Sequence, residues 1–144
     1  MKNLFAAAVL SLVAAMASAQ TTPVGLWKTI DDDGKTEKSL VRITESGGVL
    51  TGTIEKVFDP AKQDAKCDKC ADERKDKPVL GLTILRNVKQ DASDKEHWTG
   101  GEILDPNSGK TYKARLTPIE GGKKMEMRGY IAFFYRTQVW QRVE

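Results

Sequence analysis

The chain has 144 residues, of which 23 are Lys or Arg and 20 are Asp or Glu, so its formal net charge is +3. This length suits a single domain, and no run of basic residues is free of interleaved acids, which excludes a nucleic-acid binder of the usual basic kind. The two cysteines and one histidine fall short of the four ligands of a closed zinc site.

The N-terminus has the pattern of a secretory signal peptide. Lys2 provides the positive charge, residues 4–16 form an apolar run, and Ala17-Ser18-Ala19 is a small-residue cleavage site. The run is shorter than the roughly 20 residues that span a bilayer, so a retained anchor is the less favoured alternative. We therefore expect cleavage between Ala19 and Gln20, leaving a periplasmic or secreted domain of residues 20–144 with no membrane span.

The rest of the chain predicts short strands separated by turns rich in Asp, Gly, Pro and Asn. Apolar and polar residues alternate with the period of a half-buried strand, for example at Tyr112, Ala114 and Leu116. No window has the apolar periodicity of a helix. The predicted strands are 24–30, 37–44, 49–58, 79–88, 97–105, 110–117, 123–131 and 136–143.

The short connections favour an all-β fold, an eight-stranded antiparallel up-and-down barrel, with an open or two-sheet sandwich as the alternative. Closure requires the first strand, 24–30, to pair with the last, 136–143. That pairing would bring Trp27 close to Arg136 or Arg142, whose guanidinium could stack on the indole.

Cys67 and Cys70 form a Cys-x-x-Cys pair within a charged loop of residues 59–77. A disulfide is the favoured state in an oxidising compartment, and a metal half-site or a redox pair are the alternatives. Residue 71 is alanine, so the pair lacks the histidine of a covalent haem site. We expect a surface loop ordered by this small disulfide, with a binding lid as the alternative.

Several stretches resemble DUF2147, a family of secreted bacterial proteins of unknown function. The resemblance implies a small lipocalin-like β-barrel, and it departs from the family pattern at Ala132, where the family usually has glycine. Gly25-x-Trp27 also resembles the N-terminal signature of lipocalins. The stretches that carry the family resemblance are GLWKT (25–29), CDKC with ERKDKPVLGLTIL (67–85), GGEILDPNSGKTY (100–112), RGYI (128–131) and RTQVWQRV (136–143).

Aromatic and polar side chains of the predicted barrel are candidates for a ligand site, because such sites are mostly apolar with a few placed polar groups. The alternative is that the aromatic residues only fill the core. Alternation leaves open whether Arg128 points inward. The candidates are Trp27, Trp98, Tyr112, Tyr130 and Trp140 for the cavity wall, and Arg128, Arg136 and Gln138 for a polar head group.

These observations predict a protein without catalytic activity that binds a small apolar or amphipathic ligand. The alternative is a structural or protein-interaction module of the cell envelope with a filled core. An enzyme is the third and least favoured hypothesis, because the sequence has no recognisable paired carboxylates, triad or metal-ligand set, and we expect His97 to be structural or exposed. We expect no cofactor, no metal and no nucleic acid, a possible envelope protein partner, and a monomer.

Overall fold

The computed structural model describes residues 21–144. The predicted signal peptide and its cleavage site at Ala19 and Gln20 lie outside the described residues. Two single-turn 3₁₀ helices, Pro60–Lys62 and Glu120–Gly122, accompany the strands. The strands are β1 (Gly25–Ile30), β2 (Glu37–Ser46), β3 (Val49–Val57), β4 (Thr83–Gln90), β5 (Trp98–Asp105), β6 (Lys110–Ile119), β7 (Lys124–Ile131) and β8 (Phe134–Arg142).

The strands pair antiparallel in chain order, and β1 pairs with β8 to close the barrel. Trp27 lies opposite Arg142 in this last pairing. The amide of Leu26 donates to the carbonyl of Glu144 at 2.8 Å, and the amide of Val143 donates to the carbonyl of Leu26 at 2.8 Å. The predicted eight-stranded antiparallel barrel is therefore confirmed, and the sandwich alternative is excluded.

The fourth strand begins later than predicted, at Thr83 and not at residue 79. Proline at position 78 has no amide hydrogen to donate, and Gly81 has a φ of 87°, which lies outside the strand region. Residues 79–82 therefore form a turn, in which the amide of Leu82 donates to the carbonyl of Val79. Leu80, within the predicted strand 79–88, is 47% exposed, so the apolar run at its start is not buried throughout.

Alternation correctly predicts which side chains of β6 and β7 are buried in the barrel. Met125 and Met127 are buried on β7, and Ala114 and Leu116 are buried on β6, whereas their sequence neighbours remain partly exposed. The interior is thus built from alternate residues of β6 and β7, whereas consecutive residues are both buried at Leu26–Trp27 on β1 and Ile103–Leu104 on β5. Within residues 21–144, no helix is long and apolar enough to cross a membrane.

The connections between strands alternate between the two ends of the barrel, because consecutive strands are antiparallel. We call the end formed by residues 31–36, 58–82, 106–109 and 132–133 the mouth, and the other the closed end. At the closed end, Arg142 donates hydrogen bonds to the backbone carbonyls of Gly122, Val24 and Thr22. These bonds tie the segment before β1 to the turn before β7.

The long connection 58–82 folds against the barrel. Cys67 and Cys70 are joined by a disulfide, and their side chains are 0% and 3% exposed within the main apolar cluster. The connection also packs on the β5–β6 turn, where a Cβ on Gly109 would lie 1.9 Å from the carbonyl oxygen of Lys69. The expected surface loop is therefore buried where it contacts the barrel. Position 109 requires glycine, because any side chain there would collide with the backbone of this connection.

Candidate functional site

A cavity of about 270 Å³ opens at the mouth of the barrel. It lies inside the ring of strands and reaches the solvent between the β1–β2 and β5–β6 connections. Its apolar floor comes from the strands, and its polar rim comes from the mouth ends of the strands and from the β1–β2 and β5–β6 connections. The lining residues are Thr29, Asp31, Asp32, Lys38, Ser39, Ile54, Ile84, Ile103, Leu104, Asp105, Pro106, Asn107, Tyr112, Met127, Gly129, Arg136, Gln138 and Trp140.

The floor consists of apolar side chains that point inward from four strands. Ile54, Ile103, Met127 and Trp140 are each at most 7% exposed. Gly129 leaves space here, because a Cβ at this position would lie 3.0 Å from the Cβ of Tyr112. The missing side chain on β7 thus accommodates the neighbouring tyrosine and keeps the cavity open beside it.

A chain of hydrogen bonds connects the floor to the rim. The indole nitrogen of Trp140 donates to Oε1 of Gln138 at 3.0 Å, and Nε2 of Gln138 donates to Oδ1 of Asp32 at 2.8 Å. Arg136 donates to the other carboxylate oxygen of Asp32 and, at 3.3 Å, to the hydroxyl of Tyr112. Arg136, Gln138 and Trp140 are alternate residues of β8, so strand geometry alone places them in one inward row.

The rim carries ion pairs that largely cancel its charges. The Arg136 guanidinium holds the pKa of Asp32 below its usual range, and Gln138 acts in the same direction against the opposing effect of partial burial. The Nζ atom of Lys38 lies 3.7 Å from Oδ2 of Asp31, which forms a second ion pair. Asp105 accepts bonds from the backbone of Asn107 and the hydroxyl of Ser108, so it caps the β5–β6 turn. Three carboxylates against two bases leave one net negative charge.

Two hydroxyl groups form a polar strip on the wall between β1 and β2. The hydroxyl oxygens of Thr29 and Ser39 lie 2.7 Å apart, and both side chains are buried. The Thr29 hydroxyl also donates to the carbonyl of Ser39 at 3.4 Å, and both residues line the cavity, where their hydroxyl oxygens keep lone pairs that can accept further hydrogen bonds. This strip and the β8 row present polar groups on two sides of an apolar floor.

Four of the eight sequence candidates line this cavity, namely Tyr112, Arg136, Gln138 and Trp140. The other four do not. Trp27 is buried at the closed end against Arg142, and Trp98 is buried where β5 leaves that end. Arg128 and Tyr130 alternate with the inward residues of β7 and therefore point away from the interior. The open question about Arg128 is answered by this outward position.

Sequence reasoning missed the partner residues of the rim, above all Asp32. It lies in a turn, so strand periodicity says nothing about its side chain. The topology does contain a usable signal: in an up-and-down barrel the β1–β2 and β7–β8 connections lie at the same end. Asp32 and Arg136, separated by 104 residues, are neighbours for that reason.

Within residues 21–144, no group of three or more His, Cys, Asp or Glu side chains is arranged to hold a metal ion. His97 lies at the closed end, away from the cavity. Its Nδ1 is 2.6 Å from the hydroxyl of Thr117, and its Nε2 is 3.3 Å from a carboxylate oxygen of Asp94. These contacts connect the β4–β5 turn to β6, which fits the structural role expected for this residue.

A family model described as "Uncharacterized protein conserved in bacteria (DUF2147)" matches residues 25–142. No curated protein matches the chain. The solved structure of protein HP1028 from Helicobacter pylori, described as belonging to the lipocalin family, superposes with a TM-score of 0.72. It is 19% identical over 86% of this chain and 84% of that one, so the likeness concerns the fold.

Proposed function

The chain belongs to the DUF2147 family of bacterial proteins, and on that premise we propose that it binds one small amphipathic molecule in the cavity at its mouth. Its role is to hold the molecule, without catalysis. The observation that carries this proposal is an unfilled interior whose apolar floor is joined by hydrogen bonds to a polar rim. Tyr112 and Trp140 in the wall favour binding over the alternative of a filled core.

The volume limits the size of the molecule. At about 270 Å³ the cavity is just below the range of roughly 300–1,000 Å³ that drug-sized ligands occupy. It has room for the apolar part of a molecule of one or two rings, or a short acyl chain. A long-chain lipid would have to leave most of its length outside.

The rim limits the charge of the molecule. Arg136 is already paired with Asp32, and Lys38 is already paired with Asp31. An anionic head group would have to break one of these pairs, while Asp105 adds an unpaired negative charge close by. An uncharged or cationic head group can instead use the Thr29–Ser39 hydroxyls and the carboxylates as partners.

We further propose that the protein works in the periplasm or outside the cell. The predicted signal peptide and the Cys67–Cys70 disulfide support this location, since disulfides persist in oxidising compartments. Sequencing the N-terminus of protein from the envelope fraction tests it, and a chain beginning at Gln20 is the expected result.

Two binding experiments test the proposal. Native mass spectrometry of protein purified from its own host should reveal a copurifying small molecule. In titrations, the uncharged probe N-phenyl-1-naphthylamine should bind with one-to-one stoichiometry and more tightly than the sulfonate 8-anilinonaphthalene-1-sulfonate.

The variant Ile54→Trp fills the floor and should weaken binding of the uncharged probe at least about tenfold, which corresponds to about 1.4 kcal/mol. Val139→Trp places the same side chain on the outer face of β8 and serves as its control. Equal affinities of the two folded variants would contradict a site inside the barrel.

A further inference from the structure

The turn between β7 and β8 projects apolar side chains into solvent at the mouth. Phe133 and Phe134 are 99% and 79% exposed, and the adjoining Tyr135 is 59% exposed. The turn is tight, with Ala132 at a φ of 50°. Exposed aromatic residues grouped on one projecting turn are unusual for a surface that meets only water.

Basic side chains lie directly behind this turn on the outer face of the sheet. In register, Lys113 lies opposite Tyr130, and Arg115 lies opposite Arg128. Like charges placed opposite each other on one face of a sheet destabilise it. Within residues 21–144, none of these three bases forms an ion pair, and the buried Nε of Arg115 has no hydrogen-bond partner.

The aromatic and basic groups are ordered along one direction. The row Ile131–Phe134 ends the hairpin, the row Tyr130–Tyr135 follows at once, and Arg128 comes about 10 Å behind the tip at the spacing of strand residues. The guanidinium carbon of Arg128 lies 4.4 Å from the ring centroid of Tyr135, which holds the base beside the aromatic row. From the tip backwards, the side chains are therefore apolar, then aromatic, then basic. The layers of a lipid monolayer favour side chains in the same order, from the acyl region to the head groups.

We propose that this hairpin tip, residues 131–135 with Lys113, Arg115 and Arg128 behind it, binds the surface of a membrane that contains anionic lipids. Phe133 and Phe134 enter the boundary between acyl chains and head groups, Tyr130 and Tyr135 lie at the head-group level, and the bases contact phosphates. Proteins bound at this interface insert by about 5–10 Å, which matches the distance from the tip to Arg128.

The shape of the surface favours a membrane over a protein partner. A stable protein interface buries about 800 Å² on each side in a broad and complementary patch. Here the apolar groups sit on and beside a two-residue turn that projects into solvent, with Phe133 99% exposed. A soft lipid layer can surround such a tip, whereas a protein surface would need a matching socket.

The neighbouring acids do not oppose this arrangement. Glu126 lies one row farther from the tip than Arg128, opposite Thr117 and Val139. Glu102, opposite Lys113, is bonded to Arg86 and Arg74. In the β1–β2 connection, Asp31 and Asp32 are ion-paired, and Asp33 accepts bonds from Thr36. This inference does not require that the cavity hold a ligand.

Flotation of the barrel, residues 20–144, with large unilamellar vesicles tests the proposal. Vesicles of phosphatidylcholine and phosphatidylglycerol in a 7:3 ratio should bind the protein, and pure phosphatidylcholine should bind it at least tenfold more weakly. Raising the salt concentration to 0.5 M should reduce binding to the anionic vesicles, since it screens the contribution of the bases.

Two double variants, each with a control, separate the contribution of the aromatic tip to vesicle binding from that of the basic residues. Phe133→Ser with Phe134→Ser should reduce partitioning at least tenfold, while the control Leu80→Ser with Val143→Ser, also at exposed apolar positions, should leave it unchanged. Lys113→Gln with Arg128→Gln should reduce partitioning onto the anionic vesicles about 25-fold, because each of the two removed charges contributes a factor of about five. Its control, Lys89→Gln with Lys95→Gln, removes two exposed charges elsewhere.

The result that overturns the proposal is a folded protein that does not float with anionic vesicles. Equal losses for test and control variants would also overturn it. If Phe133→Ser with Phe134→Ser instead abolishes self-association in analytical ultracentrifugation while vesicle binding is absent, the tip is an interface between copies and the membrane assignment is wrong. Circular dichroism establishes that each variant is folded.

Discussion

The guanidinium carbon of Arg142 lies 4.3 Å from the ring centroid of Trp27, directly across the pairing that closes the barrel. The arginine reaches this position because β8 brings it inward at the closed end. Its Nε, Nη1 and Nη2 donate one hydrogen bond each, to the carbonyls of Gly122, Val24 and Thr22. Desolvation lowers the pKa of Arg142 from its usual range. A single side chain thus joins the first strand, the last strand and one turn.

Replacement of this arginine should destabilise the whole fold. Arg142→Ala leaves three backbone carbonyls without a donor and removes the stack on Trp27, so we expect the free energy of unfolding to fall by about 3 kcal/mol or more. Arg142→Lys keeps the charge but not the planar fork, and should give an intermediate loss. Urea denaturation measures both. A loss no larger than that of the exposed neighbour in Gln141→Ala would contradict this role.

Strand alternation and turn chemistry are sufficient to predict most of the barrel. They identify eight strands and the closing pair, because both depend on local sequence and on the period of two. They fail at residues 79–82, where backbone bonds to Ile54 and Ala65 replace the ladder that the apolar residues suggest. They also cannot decide between Arg136 and Arg142 as the partner of Trp27, because both point inward from the same strand.

The candidate site is less predictable for a related reason. Tyr112, Arg136, Gln138 and Trp140 line the cavity, and they are residues of strands. Asp32 belongs to a turn whose side-chain directions depend on the contacts at the mouth. Trp27 and Trp98 are of a residue type that often lines ligand sites, but they lie near the closed end. Residue type alone therefore does not distinguish them from residues that line the cavity.

The disulfide should stabilise its own connection more than the barrel. Replacement of Cys67 and Cys70 by alanine removes a four-residue ring, so we expect the free energy of unfolding to fall by about 2 kcal/mol. Hydrogen exchange should accelerate for amides of residues 60–82 and remain slow in β6 and β7. Chemical reduction of the disulfide in the wild-type protein removes the bond but keeps both sulfur atoms. Comparison with the alanine variant therefore separates the effect of the lost bond from that of the lost packing of the sulfur atoms. Equal acceleration in all strands would show a global role instead.

The carboxylate of Asp72 should make the fold sensitive to acid. Hydrogen bonds from the Arg74 side chain lower the pKa of Asp72 to about 2, from a usual value of 3.8. The unfolded chain therefore binds the proton more readily, and the stability that this group contributes is complete above about pH 4 and is lost as the pH falls toward 2.

Asp72→Asn should accordingly be less stable than the wild type at pH 6, and the difference should shrink between pH 4 and pH 2. Asp68→Asn, in the same connection, is the control, because it removes a carboxylate that forms no ion pair within residues 21–144. Urea denaturation at several pH values measures both. Parallel profiles for Asp72→Asn and the wild type would contradict the assignment.

The Asp32–Arg136 pair should determine which head groups the cavity accepts. Asp32→Asn keeps a hydrogen-bonding side chain at the rim but removes the charge that neutralises Arg136. The affinity for 8-anilinonaphthalene-1-sulfonate should then rise by about fivefold, since a partly exposed charge pair contributes up to about 1 kcal/mol. The affinity for the uncharged N-phenyl-1-naphthylamine should change less than twofold, because its binding depends on the apolar floor.

Asp33→Asn provides the matched control, because it removes the same charge from the adjacent residue, whose carboxylate accepts bonds within the turn and does not line the cavity. At physiological salt the screening length is about 8 Å, so a general change in net charge should affect the sulfonate probe only slightly. A similar gain for both variants would mean that overall charge, and not the freed guanidinium, controls binding. A gain confined to Asp32→Asn would identify the freed Arg136 as the group that binds the sulfonate of this probe.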